Sequence, residues 1–357
     1  MVKLIRKYIV MCAVYALSLG VFSGTVYCQE QAKGPVKVSC DKRNIYVNGQ
    51  LFYVKGIAYS MDYGPKQSFG EVPMEKWKDD FKMIREAGIN TIRTYEPLPI
   101  KILDIADEYG IKVIENICYP SGKTKFNSKA QLENMKRTAL SFVDRDKDHP
   151  AILMWSLWND MPFKWSKEGS VLKKYDKRVV NAFMKDIYKA VKEKDPNHLV
   201  TGSNILGENG DDIGADFLDV VGFNAFLGIT DWFNGDFSLK KARKQVKTIE
   251  KMTCLERKKP GLILETGYST YCRKYSQDKV IDTQIRVAGT KVAGVVVFQW
   301  ADGWHKAGNP SFQDDHIEEH WGIVDGFRNR KPGYSAVSRA FGMIQTRSRG
   351  YRGIARF

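Results

Sequence analysis

The feature that most constrains the fold is a strand followed by a helix, repeated along most of the chain. Short apolar runs alternate with amphipathic stretches, the first two of which stop at Gly88 and Gly110. Continuously apolar runs of this kind are typical of parallel strands buried on both faces. Eight are found, at FYVKGIAYS (52–60), INTIRTYEP, KVIENICYP, AILMWSLWND, HLVTGSN, VVGFNAF, GLILETGY and AGVVVFQWAD.

Eight strand–helix units predict an α/β fold, and specifically a (β/α)8 TIM barrel, which typically needs about 250 residues. The alternative is an open doubly wound sheet, but no G-x-G-x-x-G loop follows the first strand. Ahead of the barrel, IYVNGQLFYV places two alternating apolar runs around Asn48-Gly49, which predicts a β-hairpin. The barrel helices are expected near 74–87, 99–109, 129–147, 175–194, 239–253, 278–290 and 334–346.

The N-terminal leader has the layout of a secretory signal peptide, since Lys3, Arg6 and Lys7 precede an apolar stretch that ends near Phe22. An uncleaved anchor is the alternative, although the stretch is short for a membrane span of about 20 residues. The mature protein is expected to be secreted, periplasmic or at the cell surface, without a membrane span unless the leader is retained. We expect a signal peptide over 1–28, a hairpin segment over 29–51, a barrel over 52–347 and a basic tail over 348–357.

Charge and cysteine content narrow the possible partners. Lys and Arg exceed Asp and Glu by 15, which favours acidic partners but also fits a solvated basic surface. No nucleic-acid-binding module is recognised, so no nucleic-acid partner is expected. The four cysteines beyond the leader are scattered without C-x-x-C spacing, which argues against a disulfide framework and a metal site. Asp314, Asp315 and His316 resemble a metal cluster only superficially, and neither metal nor cofactor is expected.

In a TIM barrel, catalytic residues lie at the carboxyl ends of the strands. Two carboxylates there suit glycosidic bond cleavage, in which one acid protonates the leaving oxygen while the other attacks or activates water. Amides and Arg bind sugar hydroxyls, and aromatic rings stack on apolar sugar faces. The strand ends of this chain hold Tyr59, Arg93, Tyr95, Glu96, Glu115, Cys118, Asn159, Asp160, Ser203, Asn204, Asn224, Phe226, Glu265, Trp300 and Asp302.

Several segments resemble the retaining β-glycosidases of clan A, and specifically the catalytic barrel of glycoside hydrolase family 2, the β-glucuronidase and β-galactosidase family. The segments are VNGQLFYVKGIAY, AGINTIRTYEP, DHPAILMWSLWND, GLILETGY, FQWADGW and EEHWGIVDGFRNRKPGYSAV. The resemblance implies that Glu265 is the nucleophile and Asp160 the acid/base. It also implies that Asn159 binds the sugar 2-hydroxyl, that Arg93 lies close to Glu265 and keeps it ionised, and that Trp300 floors a sugar subsite.

The chain departs from the family pattern at three positions near these residues. Asp160 replaces the family's Glu, which withdraws the carboxyl by about 1.5 Å. Trp158 stands where the family has a small residue, so it either reshapes the loop or occupies part of the cleft. Phe226 replaces a Tyr that donates to the nucleophile, which a Phe cannot do. The alternative acids are Glu96, ranked first, and then Glu115 and Glu208.

Further residues are expected to contact the substrate. Tyr59, Asn224, Phe226, Trp158 and Glu96 are candidates because they lie at strand ends. Long loops on a barrel usually carry function, and those after the fourth, sixth and eighth strands are rich in Trp, Lys and His. In these loops we expect stacking on sugars from Trp165, Trp232, Trp304 and Trp321, and contacts to hydroxyls or a carboxylate from Lys164, His305 and Lys306.

Each main assignment has a purely structural alternative. Glu265 and Arg93 would form a buried ion pair without catalytic function, although buried charges are rarely without one. Trp300 would pack in the core, as aromatic residues commonly do in barrels. Asn159 would cap the loop that follows it.

The sequence therefore predicts an exported, retaining β-glycoside hydrolase or transglycosylase that acts on a β-linked oligo- or polysaccharide by double displacement. The segments NTIRTYEP and ETGY also resemble the β-1,3-glucanase and glucanosyltransferase families of clan A, so hydrolysis and transfer both stay open. Full-length family 2 enzymes carry further domains before the barrel, whereas only a hairpin is expected here, which favours an open cleft. The alternative from another class is a non-catalytic or weakly catalytic glycan-binding protein, motivated by Asp160 and Phe226.

Overall fold

Parallel strands form the centre of this computed structural model, which describes residues 36–61, 63, 72–161, 171–207, 212–304 and 313–344. Within those ranges, every helix is too short or too polar to cross a membrane. The predicted signal peptide and basic tail lie outside the described residues, as do Lys164, Trp165, Glu208, His305 and Lys306.

The central sheet is parallel and closes on itself. Its fifth strand is divided in two at Gly202: the first half pairs with the fourth strand and the second half with the sixth. These two halves are the ends of the sheet order, so the predicted (β/α)8 barrel is confirmed. The strands are β4 (Val54–Ala58), β5 (Thr91–Arg93), β6 (Lys112–Asn116), β7 (Ile152–Ser156), β8 (Leu199–Thr201), β9 (Ser203–Ile205), β10 (Val221–Asn224), β13 (Gly261–Thr266) and β14 (Gly294–Val297).

Amphipathic helices surround the barrel and bury their apolar faces against it. Three of them begin with a side-chain cap: Ser128, Asp176 and Ser238 each accept a hydrogen bond from a backbone N–H of the first turn. The helices are α1 (Met74–Glu86), α2 (Ile100–Glu108), α3 (Lys129–Asp146), α4 (Val171–Lys174), α5 (Lys177–Lys194), α6 (Leu239–Glu250), α7 (Gln277–Ala288) and α8 (Pro332–Met343).

A small antiparallel sheet precedes the barrel. It consists of β1 (Val38–Cys40), β2 (Ile45–Val47) and β3 (Gln50–Phe52). The predicted hairpin is confirmed between β2 and β3, where Asn48 and Gly49 have φ values of 49° and 77°. Both values are positive, as a two-residue type I′ turn requires. The additional strand β1 was missed because three residues are too few for an alternating pattern.

Loops at the carboxyl end of the barrel carry local structure of their own. After the sixth barrel strand, β11 (Ile229–Asp231) and β12 (Asp236–Phe237) form a short hairpin. After the eighth, Ile317–Glu319 forms one turn of 3₁₀-helix. These segments follow strand ends, so they stand on the face where a TIM barrel places its active site.

Trp158 fills the space at the interruption of the fifth strand. Its side chain is fully buried, and its Nε1 donates to Asn204 Oδ1 at 3.0 Å. A Cβ added to Gly202 would lie 2.3 Å from the Trp158 ring, and one added to Gly214 would lie 2.5 Å from it. The prediction that Trp158 contacts substrate is therefore wrong, because its ring is enclosed by the two glycine backbones and has no surface to offer.

We predict that Gly202→Ala lowers the free energy of unfolding by about 1–3 kcal/mol, because the added methyl group overlaps the Trp158 ring. Urea denaturation followed by tryptophan fluorescence measures the change. The matched control is Gly342→Ala in α8, where a Cβ meets no atom within 4 Å and the loss of chain entropy on folding is smaller. Equal stability of the two variants would show that Trp158 does not fill this space tightly.

Candidate active site

A buried ion pair lies at the centre of the carboxyl-terminal face. Arg93 ends β5, Glu265 lies in β13, and Arg93 Nη1 donates to Glu265 Oε1 at 2.6 Å. The Arg93 side chain is fully buried and Glu265 is 4% exposed. Arg93 Nη1 also donates to the Leu264 carbonyl at 3.1 Å, which fixes the guanidinium against the strand that carries the acid. The pair therefore joins two strands that are separated by β4 and β14 in the barrel.

Tyr95 is the second donor to Glu265. Its hydroxyl donates to Glu265 Oε1 at 2.8 Å, and the Arg93 guanidinium lies 4.9 Å from the centre of its ring. Phe226 stands where the family has a donor Tyr and cannot make this bond. Tyr95, in the segment after β5, makes it instead. The spacing offered a signal, since residues two apart on an extended chain project to the same side.

An amide network joins the ion pair to Asp160. Arg93 Nη2 donates to Asn159 Oδ1 at 2.5 Å, and Asn224 Nδ2 donates to the same oxygen at 3.0 Å. Asn224 Nδ2 also donates to Asp160 Oδ1, and Asn159 Nδ2 donates to Asp160 Oδ2, both at 2.7 Å. Ser203 Oγ donates to Asn224 Oδ1 at 2.5 Å. These bonds hold side chains from four strand ends in one arrangement.

The backbone conformation of Asp160 helps to direct its carboxyl. Asp160 has a φ of 51°, and Phe226, at the end of the sixth strand, has a φ of 35°. Positive φ values are uncommon outside glycine, and Asp tolerates them better than most residues. Conformations of this kind cluster at active sites. The two residues flank the Arg93–Glu265 pair.

The electrostatics of Glu265 are a balance of opposing effects. Burial and the negative charge of Asp160 raise the pKa of Glu265 from 4.5 to about 7, although Arg93 and the Tyr95 hydroxyl lower it. Arg93 favours the ionised form of Glu265, as predicted, but desolvation and Asp160 act against it and raise the pKa.

Four aromatic side chains form a cluster beside Glu265. Phe226 N donates to the Glu265 carbonyl at 3.2 Å, and the Phe226 ring lies 4.5 Å from Trp232, 5.3 Å from Trp321 and 5.8 Å from Phe298. The centres of the Trp232 and Trp321 rings are 4.9 Å apart. Phe226 and Trp232 are only partly buried. The aromatic cluster therefore offers a ring surface next to the acid.

Trp300 does not belong to this cluster. It is 1% exposed, and its ring lies 6.4 Å from Tyr334 of α8. Its predicted role as the floor of a sugar subsite is wrong, because the ring packs against the C-terminal helix. Phe298, two residues earlier, lies closer to the acid, since its N–H donates to the carbonyl of Thr266, the residue after Glu265, at 2.7 Å. Regular strand structure ends at Val297, so alternation along the strand could not distinguish the two rings.

Two further residues predicted to contact substrate are occupied elsewhere. Tyr59 is 1% exposed and donates to Asp80 Oδ2 at 3.0 Å, where Arg328 also binds. Trp304 is buried, with its ring 5.6 Å from Phe327. The prediction is wrong for both, because hydrogen bonding in one case and packing in the other remove them from the surface.

Two of the alternative acids, Glu96 and Glu115, lie outside the network. Glu96 is exposed on the segment after β5. Glu115 is fully buried, accepts a hydrogen bond from Leu98 N at 2.8 Å and faces Asp146 of α3. Burial and the Asp146 charge raise the pKa of Glu115 well above its ordinary value. Glu115 therefore belongs to the layer between barrel and helices.

Tyr119 is a site residue that the sequence did not single out. It follows β6, is 55% exposed and lies beside Asn159. Burial of its hydroxyl raises the pKa of Tyr119, and the charges of Asp160 and Glu265 raise it further. Among the described residues, no three His, Cys, Asp or Glu side chains are grouped to hold a metal ion, and the four cysteines found there are free thiols.

Comparison with protein families identifies a match over most of the barrel. The model of the family described as "Glycosyl hydrolases family 2, TIM barrel domain" matches residues 38–251. A β-glucuronidase of Chlorocebus aethiops is 28% identical over 214 residues, which are 59% of this chain and 30% of that protein. A β-glucuronidase of Homo sapiens is 27% identical over 239 residues, 65% of this chain and 33% of that protein. The chain spans about a third of the length of these relatives.

Solved structures share the fold at lower identity. A β-glucuronidase from Faecalibacterium prausnitzii has a TM-score of 0.70 and 19% identity, covering 87% of this chain and 52% of that one. A family 2 β-galacturonidase from Eisenbergiella tayi, bound to galacturonate, has a TM-score of 0.67 and 18% identity, covering 87% of this chain and 54% of that one. At such identities the likeness establishes the barrel fold alone.

We predict that Glu265 titrates near pH 7 and that two neighbours shift its pKa in opposite directions. Tyr95→Phe removes a hydrogen bond to the carboxylate and raises the pKa, whereas Asp160→Asn removes a negative charge and lowers it. Carbon-13 NMR of glutamate-labelled protein measures both changes. Tyr109→Phe, a tyrosine at the end of α2, is the control. Identical titration of Glu265 in all variants would contradict this electrostatic account.

The buried Glu115 predicts a second pH effect, on stability. Between 4.5, its ordinary value, and its raised pKa in the folded protein, Glu115 is protonated in the native state and ionised in the unfolded one, so stability falls as pH rises. Glu115→Gln removes that dependence. We expect the variant to gain about 1–2 kcal/mol relative to wild type between pH 5 and pH 8, measured by urea denaturation. A stability difference between Glu115→Gln and wild type that does not change with pH would refute this prediction.

Proposed function

Because the chain belongs to glycosyl hydrolase family 2, we propose that it is a retaining β-glycosidase that acts by double displacement. The observation that carries the proposal is Glu265, a buried acid held by Arg93 and Tyr95 and facing a second acid, Asp160. A double displacement needs two carboxyl groups at the site, one as the nucleophile and one as the acid/base.

Glu265 is the proposed nucleophile. In the first step its carboxylate attacks the anomeric carbon and forms an ester bond, while the bond to the leaving oxygen breaks. The hydrogen bonds from Arg93 and Tyr95 converge on Oε1, which leaves Oε2 for the attack. A pKa of about 7 gives Glu265 a substantial carboxylate fraction at neutral pH together with the basicity of a strong nucleophile.

Asp160 is the proposed acid/base. It gives its proton to the leaving oxygen in the first step and takes one from water in the second, when that water releases the sugar from Glu265. The amides of Asn159 and Asn224 hold its two oxygens, and its positive φ sets the direction of the side chain. We infer that this backbone conformation compensates for a side chain one methylene shorter than Glu.

The amides beside the two acids are proposed to bind the sugar hydroxyls. Asn159 lies between Arg93 and Asp160, so a sugar 2-hydroxyl at this position would contact Asn159 while the nucleophile attacks. Phe226 and Trp232, whose rings stay partly accessible, are proposed to stack on the sugar. Hydrolysis and transfer differ only in whether water or a second sugar attacks the intermediate.

The proposed substrate is a β-linked glycan that carries uronic acid. Relatives named β-glucuronidase and β-galacturonidase and the excess of 15 positive charges support this choice, because a basic protein attracts a polyanion. Export is part of the proposal and rests on the leader of residues 1–28. Secreted, periplasmic and cell-surface locations are all compatible with such a leader.

A glycan-binding protein without catalysis is the second candidate. It is favoured by one observation, which is that both oxygens of Asp160 already accept amide hydrogen bonds. A carboxyl engaged in this way has to rotate before it approaches a leaving oxygen to the roughly 2.6–3.2 Å that proton transfer requires. A barrel that binds sugars but fails at this step would be a lectin.

Covalent trapping tests the proposal. We predict that 2-deoxy-2-fluoro-β-glucuronosyl and β-galactosyl fluorides, offered in parallel, include one that labels Glu265. The fluorine at C2 slows both steps, while the fluoride leaving group at C1 keeps formation of the intermediate faster than its release. Peptide mass spectrometry locates the adduct, and Glu265→Gln shows none. Oligosaccharide binding without an adduct or turnover of any substrate would establish the lectin instead.

Asp160→Ala tests the acid separately. Turnover of glycosides with poor leaving groups should fall by about 10²–10⁴-fold, whereas dinitrophenyl glycosides, which need no proton, should react at nearly the original rate in the first step. The matched control is Glu96→Ala, which removes an exposed acid near the same strand ends. A loss that is independent of the leaving group would exclude Asp160 as the acid.

A further inference from the structure

A cavity lies on the same face of the barrel as the two acids and their amides, and none of these residues lines it. Its volume is about 470 Å³, within the range of small-molecule sites. Three loops form it: the β11–β12 hairpin, the segment after β13 and the segment after β14. We call this cavity the outer groove, and its lining residues are Phe233, Asn234, Thr270, Tyr271, Cys272, Arg273, Asp315 and His320.

Hydrogen bonds fix the walls of the outer groove. Asp231 Oδ1 accepts from Phe233 N at 3.0 Å and from Asn234 N at 2.9 Å, which closes the tip of the β11–β12 hairpin. Thr270 N donates to the His320 carbonyl at 3.0 Å, which ties the loops after β13 and β14 together. Because these bonds hold the walls in place, binding of a ligand requires little ordering.

Exposed aromatic rings line the groove. Phe233 is 74% exposed and Tyr271 is 39% exposed. The Tyr271 and His320 rings are 6.2 Å apart and nearly parallel, with an angle of 26° between their planes. Flat, exposed rings are costly to leave in water and suit the apolar CH faces of pyranose sugars.

Arg273 is the group in the groove that suits a carboxylate-bearing ligand, beside the acidic Asp315 in the same lining. Arg273 is exposed and has no acidic partner among the residues that the structure describes, whereas the adjacent Lys274 is paired with Asp236. A guanidinium without a partner is suited to bidentate binding of a carboxylate. Asn234, Thr270 and Asp315 provide donors and acceptors for hydroxyls.

The aromatic cluster joins the outer groove to Glu265. Phe226 contacts Glu265 through its backbone, its ring packs against Trp232, and Trp232 immediately precedes Phe233 of the groove. Cys272 Sγ donates to the Trp232 carbonyl at 3.9 Å, which holds the groove wall against the cluster. Ring surface thus extends from the acid to the groove.

We propose that the outer groove is a distal binding site for a β-linked glycan that carries carboxylates, and that it holds units of the chain beyond those at the two acids. Tyr271 and Phe233 stack on the sugars, and Arg273 binds a uronate carboxylate. This assignment rests on the proposed function, because it takes the catalytic cleft to be the place where the same glycan is cleaved.

Binding to a catalytically inactive protein tests the assignment. The probes are hyaluronan octasaccharide, which carries β-linked uronates, and neutral laminarihexaose, measured by calorimetry on the full chain with Glu265→Gln. Arg273→Ala should weaken octasaccharide binding at least about tenfold and leave laminarihexaose unaffected. Tyr271→Ala should weaken both. Matched controls are Arg243→Ala, an exposed arginine of α6, and Phe327→Ala, a ring with 78% exposure.

The outcomes separate this assignment from the proposed function. If Arg273→Ala and Tyr271→Ala leave octasaccharide binding unchanged, the proposal that the outer groove binds a glycan is overturned. This holds even if fluoro-glycoside trapping labels Glu265 in the wild type. An Arg273→Ala loss that is equal for both probes overturns the carboxylate assignment. Absence of saturable octasaccharide binding also overturns the proposal that the outer groove binds a glycan. If Glu265 forms no adduct but binding still depends on the groove residues, only the catalytic proposal is overturned.

Discussion

The buried pair of Arg93 and Glu265 is the interaction on which the rest of the site depends. Taking both charges out of water is costly, and the cost is offset only where the remaining polar atoms are also satisfied. Arg93 meets this condition in part: its two terminal nitrogens bind Glu265, Leu264 and Asn159, while Nε has no partner among the described residues.

From this pair the polar network extends across the barrel mouth without a break. Asn159 accepts a hydrogen bond from Arg93 and donates one to Asp160. Asn224 accepts one from Ser203 and donates to both Asn159 and Asp160. Since each member orients the next, the positions of the two acids are coupled. A substitution at one strand end is therefore expected to affect the acid at another.

Much of this arrangement could be predicted from the sequence. Continuous apolar strands defined the barrel, and strand ends placed Glu265, Asp160 and Asn159 on one face, because strand direction is a property of the whole sheet. The positions of individual aromatic rings could not be predicted. Phe298 and Trp300 differ by two residues, and which one reaches the acid depends on where the chain leaves the strand.

Tyr95 was among the strand-end residues, but its bond to Glu265 was not predicted, for a related reason. The resemblance to the family directs attention to Phe226, which stands where the family has the Tyr that donates to the nucleophile. The carboxylate, however, can accept a hydrogen bond from a donor at any position that reaches it. The hydroxyl of Tyr95 reaches Glu265 from a different strand. Convergence of strand ends in a barrel makes such a replacement possible, since several strands approach the same point.

The Trp158 ring has a consequence for how this barrel can change over evolution. It lies against the backbones of Gly202 and Gly214 and bonds to Asn204, so a large side chain at one position requires the absence of side chains at two others. A side chain added at either glycine overlaps the Trp158 ring, and a small residue in place of Trp158 leaves a void. The three positions should therefore vary together among relatives, and a lineage that acquired the tryptophan would return to a small residue only through a less stable intermediate.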